Sequence, residues 1–283
     1  MAPERAYLEF WQAALPRLGL RWPGFRKVRG QVIKRLKRRL KALHLQDLAG
    51  YAAYLDTHPA EWGVLDAMCR ISISRFYRDP GVFATLRETV LPNLAEQVRA
   101  SDAPVLRCWS AGCASGEEAY TVQLLWHLCL AEQFPDIQLE IMATDIDPHM
   151  LERARQGRYS QGSLKDLPLH WLEVGFERCG DDYIVRDTFR ERIWFAAQDI
   201  RCKLPAGPFH FVMCRNLVFT YFADPVQRVS LTRVATRLVP GGILLVGKHE
   251  TLPSARPDWV PCADRQGFFR KVDAAMAAPE AMT

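Results

Sequence analysis

Along the first eighty residues, apolar positions recur every three or four. In FRKVRGQVIKRLKRRLKALHL, Val32, Ile33, Leu36, Leu40 and Leu43 keep that spacing, while Lys34, Arg35, Lys37, Arg38, Arg39 and Lys41 cover the remaining face. Such a stripe predicts a helix docked on its apolar side with a basic outer surface. DLAGYAAYLDTHP and PAEWGVLDAMCRIS repeat the period, each with a proline near its edge, so the region to about residue 80 is expected to be all-helical.

The pattern then changes. APVLRCWSA is a short β-compatible run that enters a loop of small residues, and EEAYTVQLLWHLCLAEQF returns to helical spacing. LEIMATDID is expected as a second strand closing on aspartates, PHMLERARQG as a helix and FHFVMCRN as a third strand. VSLTRVATRLVPGG is expected as a helix closed by Pro-Gly-Gly, followed by ILLVGKHE as a fourth strand. Strands alternating with helices imply a parallel, doubly wound α/β sheet, and ligands of such sheets bind beyond the carboxyl ends of the strands. GDDYIVRDTFRERIWFAAQDI holds a turn signal and two short alternating segments, which predicts a small β insertion attached to the α/β domain.

Composition narrows the class. The chain has 283 residues, 49% hydrophobic and 24% charged, as in an ordinary globular protein. It has no apolar run near the roughly 20 residues a membrane-spanning helix needs. MAPERAYLEFW lacks the basic-then-apolar pattern of a secretion signal, so a cytoplasmic location without membrane insertion is expected. The eight cysteines form no C-x-x-C pair and no histidines cluster, so no metal site is expected and the thiols should be reduced and mostly buried. Eleven Lys and Arg and no acid fall between Phe10 and Gln46 in a chain of net charge +5. A basic N-terminal module on an acidic body suits an acidic partner. Nucleic acid is not expected, because the basic run lacks interleaved aromatics and a recognised binding fold.

Candidate chemistry gathers at three strand ends. WSAGCASGEEAYT follows the first strand, Asp145 closes the second, and the third ends near Asp199 and Arg215-Asn216. A carboxylate at the second strand end suits the two hydroxyls of a ribose. The loop from Gly112 to Gly116 has neither the G-x-G-x-x-G of dinucleotide sites nor the G-K-[ST] of triphosphatases. Glu117 and Glu118, immediately beyond it, would repel a pyrophosphate and attract an amine. Alone they would be only favourable charges at a helix N-terminus; beside Asp145 they point to a cationic, phosphate-free nucleoside. S-adenosylmethionine meets these conditions.

The segments KRLKRRLKALHL with YAAYL, SISRFYRDPGVF, WSAGCASGEEAYT, ATDID, ERARQGRYS, AGPF, CRN with a nearby YF, and LVPGGILLVGKHETL occur in that order. Together they resemble the CheR-type methyltransferases, which transfer a methyl group from S-adenosylmethionine to glutamate side chains of bacterial chemoreceptors. The resemblance implies an N-terminal helical domain over 1–80 and a Rossmann-like class I methyltransferase domain over 81–283, with a β subdomain at about 157–192. It places cofactor contacts on Ser72, Ser74, Arg78, Glu118, Asp145, Asp199, Ile200, Arg215, Asn216 and Tyr221. Arg78 would be catalytic, and Glu118 rather than Glu117 would bind the cofactor. The implied partner is an acidic protein, a chemoreceptor cytoplasmic domain, docked on Arg35, Arg38 and Arg39.

Three positions depart from the family pattern. Ile71-Ser72-Ile73-Ser74 stands where the family has Thr-Asn-x-Thr, and His249-Glu250 where it has Ser-Glu. LVFT puts four residues between CRN and Tyr221-Phe222 instead of three, so either Tyr221 or Thr220 takes the tyrosine's place. The β insertion lacks the Gly-rich extension with which some members hold a receptor's C-terminal pentapeptide, and no such tethering is expected. The expected activity is a protein-glutamate O-methyltransferase forming glutamate methyl esters. Its rivals are a divergent methyltransferase for another protein or a small carboxylic acid, and a non-catalytic cofactor-binding regulatory module.

Overall fold

The computed structural model describes residues 2–99, 104–253, 258–262 and 265–272. Ala103, which opens the expected first strand run, lies outside them. The chain divides into two compact units, Met1–Ile71 with Leu217–Arg228 and Ser72–Asn216 with Val229–Thr283. The break therefore falls at residue 71 rather than 80, and a later segment belongs with the helical unit.

In the helical unit, Ala2–Ala14 packs on Leu48–Thr57, and Arg29–Ala42 packs on Glu61–Met68. The apolar stripe of the basic helix is its buried face: Val32, Ile33, Leu36 and Leu40 are all at most 8% exposed. A 14-residue helix is marginal in water by itself, so this burial is what fixes it. Asp47 opens the next helix by accepting the Gly50 N–H at 2.8 Å, an N-cap that satisfies one orphan donor.

The second unit carries the strands β1 (Val105–Ala111), β2 (Gln138–Asp145), β3 (Arg158–Ser160), β4 (Phe176–Cys179) and β5 (Asp182–Val185). It continues with β6 (Ile193–Ala197), β7 (Phe209–Cys214), β8 (Leu238–Val246), β9 (Trp259–Pro261) and β10 (Phe268–Lys271). Seven of them form one sheet in the order β6-β2-β1-β7-β8-β10-β9. The first five are parallel, and β10 runs antiparallel to β8 and β9. This is a Rossmann-like α/β fold: the chain order of the parallel strands reverses between β1 and β7, where such sheets open a ligand crevice. β1 and β7 are buried almost throughout, as central parallel strands covered by helices must be.

Three details differ from expectation. RIWFAAQ, expected in the insertion, forms β6, which pairs with β2 from Ile193 to Ala197; its alternation is that of an edge strand rather than of a separate hairpin. Asp199 therefore follows β6, whereas Arg215-Asn216 follows β7, and the two mark different strand ends. LVPGG belongs to β8, and the ladder absorbs it as a register irregularity between the pairs Phe209–Leu238 and Phe211–Ile243. The insertion proper is a three-stranded antiparallel sheet, β3-β5-β4. Tyr159 of β3 is 1% exposed and donates its hydroxyl to the Ser115 carbonyl at 2.5 Å, which ties the small sheet to the loop after β1.

Among the described residues no helix is long and apolar enough to cross a membrane, and no group of three or more His, Cys, Asp or Glu could hold a metal ion. No disulfide joins the described cysteines; Cys69, Cys108, Cys113 and Cys214 are buried, and Cys129, Cys179 and Cys202 are exposed.

Candidate functional site

The loop after β1 bonds four of its amides internally, those of Gly112, Cys113, Ala114 and Gly116. Gly112 and Cys113 donate to the Thr144 carbonyl at 2.8 and 3.0 Å, and Gly116 donates to Cys113 at 2.8 Å. The Ala114 N–H donates to the Asp145 carboxylate at 2.9 Å. A loop that cradles phosphate needs such donors for its ligand; these are already bonded. Positive φ at Gly112, Ala114 and Gly116 (76°, 47° and 88°) makes the turn. At Gly116 a Cβ would come within 3.0 Å of Ala154 and 3.2 Å of the Phe195 ring, so glycine answers both the backbone and the packing there.

The carboxylates differ in what surrounds them. Asp145 accepts the Ala114 N–H on Oδ2 and the Asp147 N–H on Oδ1, each at 2.9 Å. A carboxylate has about four acceptor sites, which leaves capacity for a ribose diol. Burial pushes the Asp145 carboxyl above the usual range, against the pull of those backbone bonds. Glu118 accepts the Ser110 hydroxyl at 3.2 Å and the Arg215 guanidinium at 3.0 Å. Glu117, at the helix start, is 2% exposed; its Oε1 accepts the Ser115 hydroxyl at 2.8 Å, and burial raises its pKa. The two adjacent glutamates thus face different surroundings, Glu117 buried with its pKa pushed up by burial, Glu118 ion-paired.

Arg215, just past β7, is a hub that sequence reasoning did not foresee. Its side chain is 5% exposed and bridges Glu118 and Asp79, the latter at 2.5 Å, while also donating to the Arg78 carbonyl at 3.3 Å. It thereby fastens the segment carrying Arg78 to the helix carrying Glu118. That segment is held along its length. The Phe76 N–H donates to Ser163 at 3.0 Å and the Tyr77 N–H to the Thr121 hydroxyl at 3.1 Å. The Phe76 ring meets Tyr159 and Phe176 edge-on at 4.7 and 5.2 Å. Tyr77 and Asp79 take φ of 55° and 64°, strain that such anchoring has to hold. Ser72 is exposed, Ser74 half-buried, and Arg78 donates to the Ile73 carbonyl at 3.0 Å.

The remaining expected residues scatter more. Asp199 is engaged by the Arg201 backbone N–H and guanidinium at 2.9 and 3.0 Å, and Ile200 is 8% exposed. Arg233 donates to the carbonyls of Ile200, Arg201 and Cys202 at 3.2, 2.5 and 2.7 Å and so orders that turn. Asn216 sits at φ 55° and gives its N–H to Glu250 at 2.8 Å. His249 is exposed in the turn after β8. Tyr221 lies in the helical unit, in the one-turn helix Val218–Tyr221, with its ring 4.9 Å from that of Phe25. Of the basic-helix arginines, Arg35 donates to the Met68 and Arg70 carbonyls at 2.8 and 2.6 Å. Arg39 donates to both oxygens of Glu61, which also accepts the Tyr51 hydroxyl at 2.7 Å. These two are committed inward, whereas Lys34, Lys37, Arg38 and Lys41 are exposed at the spacing of one helical face.

A Rossmann-like strand order with an acid at the second strand end, and a loop in which the amides of Gly112, Cys113, Ala114 and Gly116 are already bonded, defines a nucleoside-binding domain of the methyltransferase type. The chain belongs to the CheR methyltransferase family: residues 72–268 match the model described as CheR methyltransferase, SAM binding domain. It is 31% identical over 231 residues to chemotaxis protein methyltransferase 2 of Vibrio cholerae, covering 78% of this chain and 77% of that one. It is 31% identical over 243 residues to the chemotaxis protein methyltransferase of Klebsiella aerogenes, covering 82% and 78%. An uncharacterized 104.1 kDa protein of Rhodobacter capsulatus is 34% identical over 241 residues, 85% of this chain but only 25% of its own length. Among solved structures, the N-methyltransferase NodS of Bradyrhizobium japonicum aligns with a TM-score of 0.38 and 17% identity, over 70% of this chain and all of that one.

The cofactor of this domain is S-adenosylmethionine, and the residues present fit it. Asp145 has acceptor capacity left for two hydroxyls, Glu118 supplies negative charge, and the loop's consumed amides suit a ligand without phosphate.

Proposed function

We propose that this protein transfers the methyl group of S-adenosylmethionine to glutamate side chains of an acidic signalling protein, of the chemoreceptor cytoplasmic type, forming γ-methyl esters. The observation that carries the reading is the pairing of Asp145 and Glu118 around a loop whose amides are already bonded, within a domain of the CheR family. Names of relatives such as that of Vibrio cholerae support the chemotaxis partner.

The bound cofactor supplies an electrophilic methyl group on a sulfonium. The acceptor glutamate is ionised at neutral pH, with an ordinary pKa near 4.3, so no general base is required. The protein's task is alignment. Asp145 takes the ribose hydroxyls, and Glu118, held by Ser110 and Arg215, takes the cationic amino end. Arg78 orients the incoming carboxylate with its planar fork, exchanging its bond to the Ile73 carbonyl for one to the substrate. Lys34, Lys37, Arg38 and Lys41 form the docking face, steering acidic helices in a salt-dependent way.

Incubating the protein with tritiated cofactor and receptor cytoplasmic fragments should give label that base releases as volatile methanol. Label that stays on nitrogen would refute the ester reading. Arg78→Ala should abolish transfer while leaving much of the cofactor affinity.

A further inference from the structure

We propose that Glu250 is a positioning residue of the cofactor site, whose carboxylate clasps the ends of β7 and β8 and holds Asn216 in its working conformation. The inference rests on the reading that Asn216 contacts the cofactor. β7 and β8 are parallel neighbours whose last register pair is Cys214 with Val246. Gly247 follows directly and Asn216 one residue further on, after Arg215, at the strand ends beside the point where strand order reverses. The Glu250 side chain reaches back to both. Its Oε2 accepts the Asn216 N–H at 2.8 Å and the Gly247 N–H at 2.6 Å, and the residue is 8% exposed. The Glu250 N–H in turn donates to the Gly247 carbonyl at 2.8 Å, so the turn after β8 curls to present the carboxylate.

Two features show what this arrangement protects. Asn216 sits at φ 55°, a left-handed conformation that asparagine enters more readily than most non-glycine residues, and a charge-assisted bond to its own N–H is a direct means of holding it there. Its side chain lies across Gly247. A Cβ added at Gly247 would come 2.6 Å from Asn216 Nδ2 and 2.8 Å from Glu250 Oε2. Both atoms are ends of side chains, so a methyl at 247 would displace the clasp and the Asn216 amide, not the backbone of the sheet. Glycine at 247, the acid at 250 and the bent backbone at 216 form one device, with no element left over for a merely decorative role.

The test is calorimetry of the full chain with S-adenosylhomocysteine, the stable demethylated product. Glu250→Ala should weaken binding roughly ten- to hundredfold, as expected when hydrogen bonds to a charged group are lost. Glu250→Gln keeps an accepting oxygen at the same reach and should bind within about threefold of the unaltered chain. Gly247→Ala should weaken binding about as much as Glu250→Ala, and it decides the matter if Glu250→Ala does not fold. Wild-type affinity in Glu250→Ala or Gly247→Ala, or equal losses in the Gln and Ala variants at 250, would overturn the positioning role alone. Failure of the unaltered chain to bind would remove the cofactor reading and this inference with it.

Discussion

Replacing Arg215 by methionine removes a nearly buried cation from between two carboxylates. The side chain is 5% exposed, against 16% for Glu118 and 36% for Asp79. At 3.0 Å from Glu118 the gross attraction is about 5 kcal/mol at an effective dielectric of 20, much of it cancelled by the cost of desolvating the ions. Methionine forfeits the attraction and leaves the carboxylates desolvated near each other, a situation that costs ~3–5 kcal/mol when both ions are well buried. Solvent screens the share of Asp79, so the low end, about 3 kcal/mol, applies. For a unit of roughly 200 residues each kcal/mol shifts the midpoint by about 2–4 °C, so scanning calorimetry of the ligand-free chain should show a midpoint lower by about 6–12 °C. Adding Glu118→Gln removes the stranded charge and should restore more than half of the loss. A variant melting within about 2 °C of the unaltered chain, or a double variant no more stable than the single, would refute the hub role, since both follow from the same unpaired carboxylate.

Further outcomes follow from other sites. Asp145→Asn should cut S-adenosylhomocysteine affinity at least tenfold, because the amide keeps one acceptor oxygen and turns a donor toward the Ala114 or Asp147 N–H. Burial raises the Asp145 pKa, so its ionised form costs stability once pH exceeds the folded value. For the same reason cofactor affinity should fall on acidification from a pH above the ordinary carboxylate value near 3.9, and a flat profile through that range would contradict this. Glu61 behaves oppositely. Its bond from Arg39 holds its pKa below the usual range, so the pair's contribution is full above about pH 4.3 and is lost as pH falls through the lowered value. Arg39→Met should lower the midpoint at pH 7, and the gap between variant and unaltered chain should close on acidification. Reversing Lys34, Lys37, Arg38 and Lys41 to glutamate should leave the thermal midpoint within a few degrees while abolishing salt-dependent association with acidic receptor fragments; a large loss of stability would mean that these side chains are structural.

The helical period of the basic segment was readable because its stripe is the buried face, down to Val32 and Leu36 at 0% exposure. The direction of individual arginines was not. Periodicity places Arg35 and Arg39 on the polar side, but guanidiniums are long enough to bend back to carbonyls and to Glu61. The sheet's parallel core was legible from its apolar runs, whereas β6 was concealed because an edge strand alternates like an insertion hairpin. Its Trp194 is 46% exposed. Asp145 and Glu118 stood out by strand-end position and charge. Asp79, Glu250 and Arg233 did not, because their partners lie far along the chain and no local spacing encodes a contact between residues 215 and 79.

The segment Leu217–Arg228 falls inside the family match of 72–268, yet it folds with the helical unit. There Leu20 bridges to Phe222, the Arg21 N–H donates to the Tyr221 carbonyl at 2.8 Å, and the Arg21 guanidinium holds the Phe219 and Thr220 carbonyls. Gly24 lies so close to the Thr220 backbone that no Cβ would fit. A length of gene cut to the family's borders would therefore leave this segment without its partners in the helical unit. Expressed alone, it would carry Phe219 and Phe222, now 4% and 6% exposed, stripped of the N-terminal cover that keeps them from sticking to other chains. Inheritance of the methyltransferase body as a cassette would require the helical body, or a substitute with the same foothold, to travel with it.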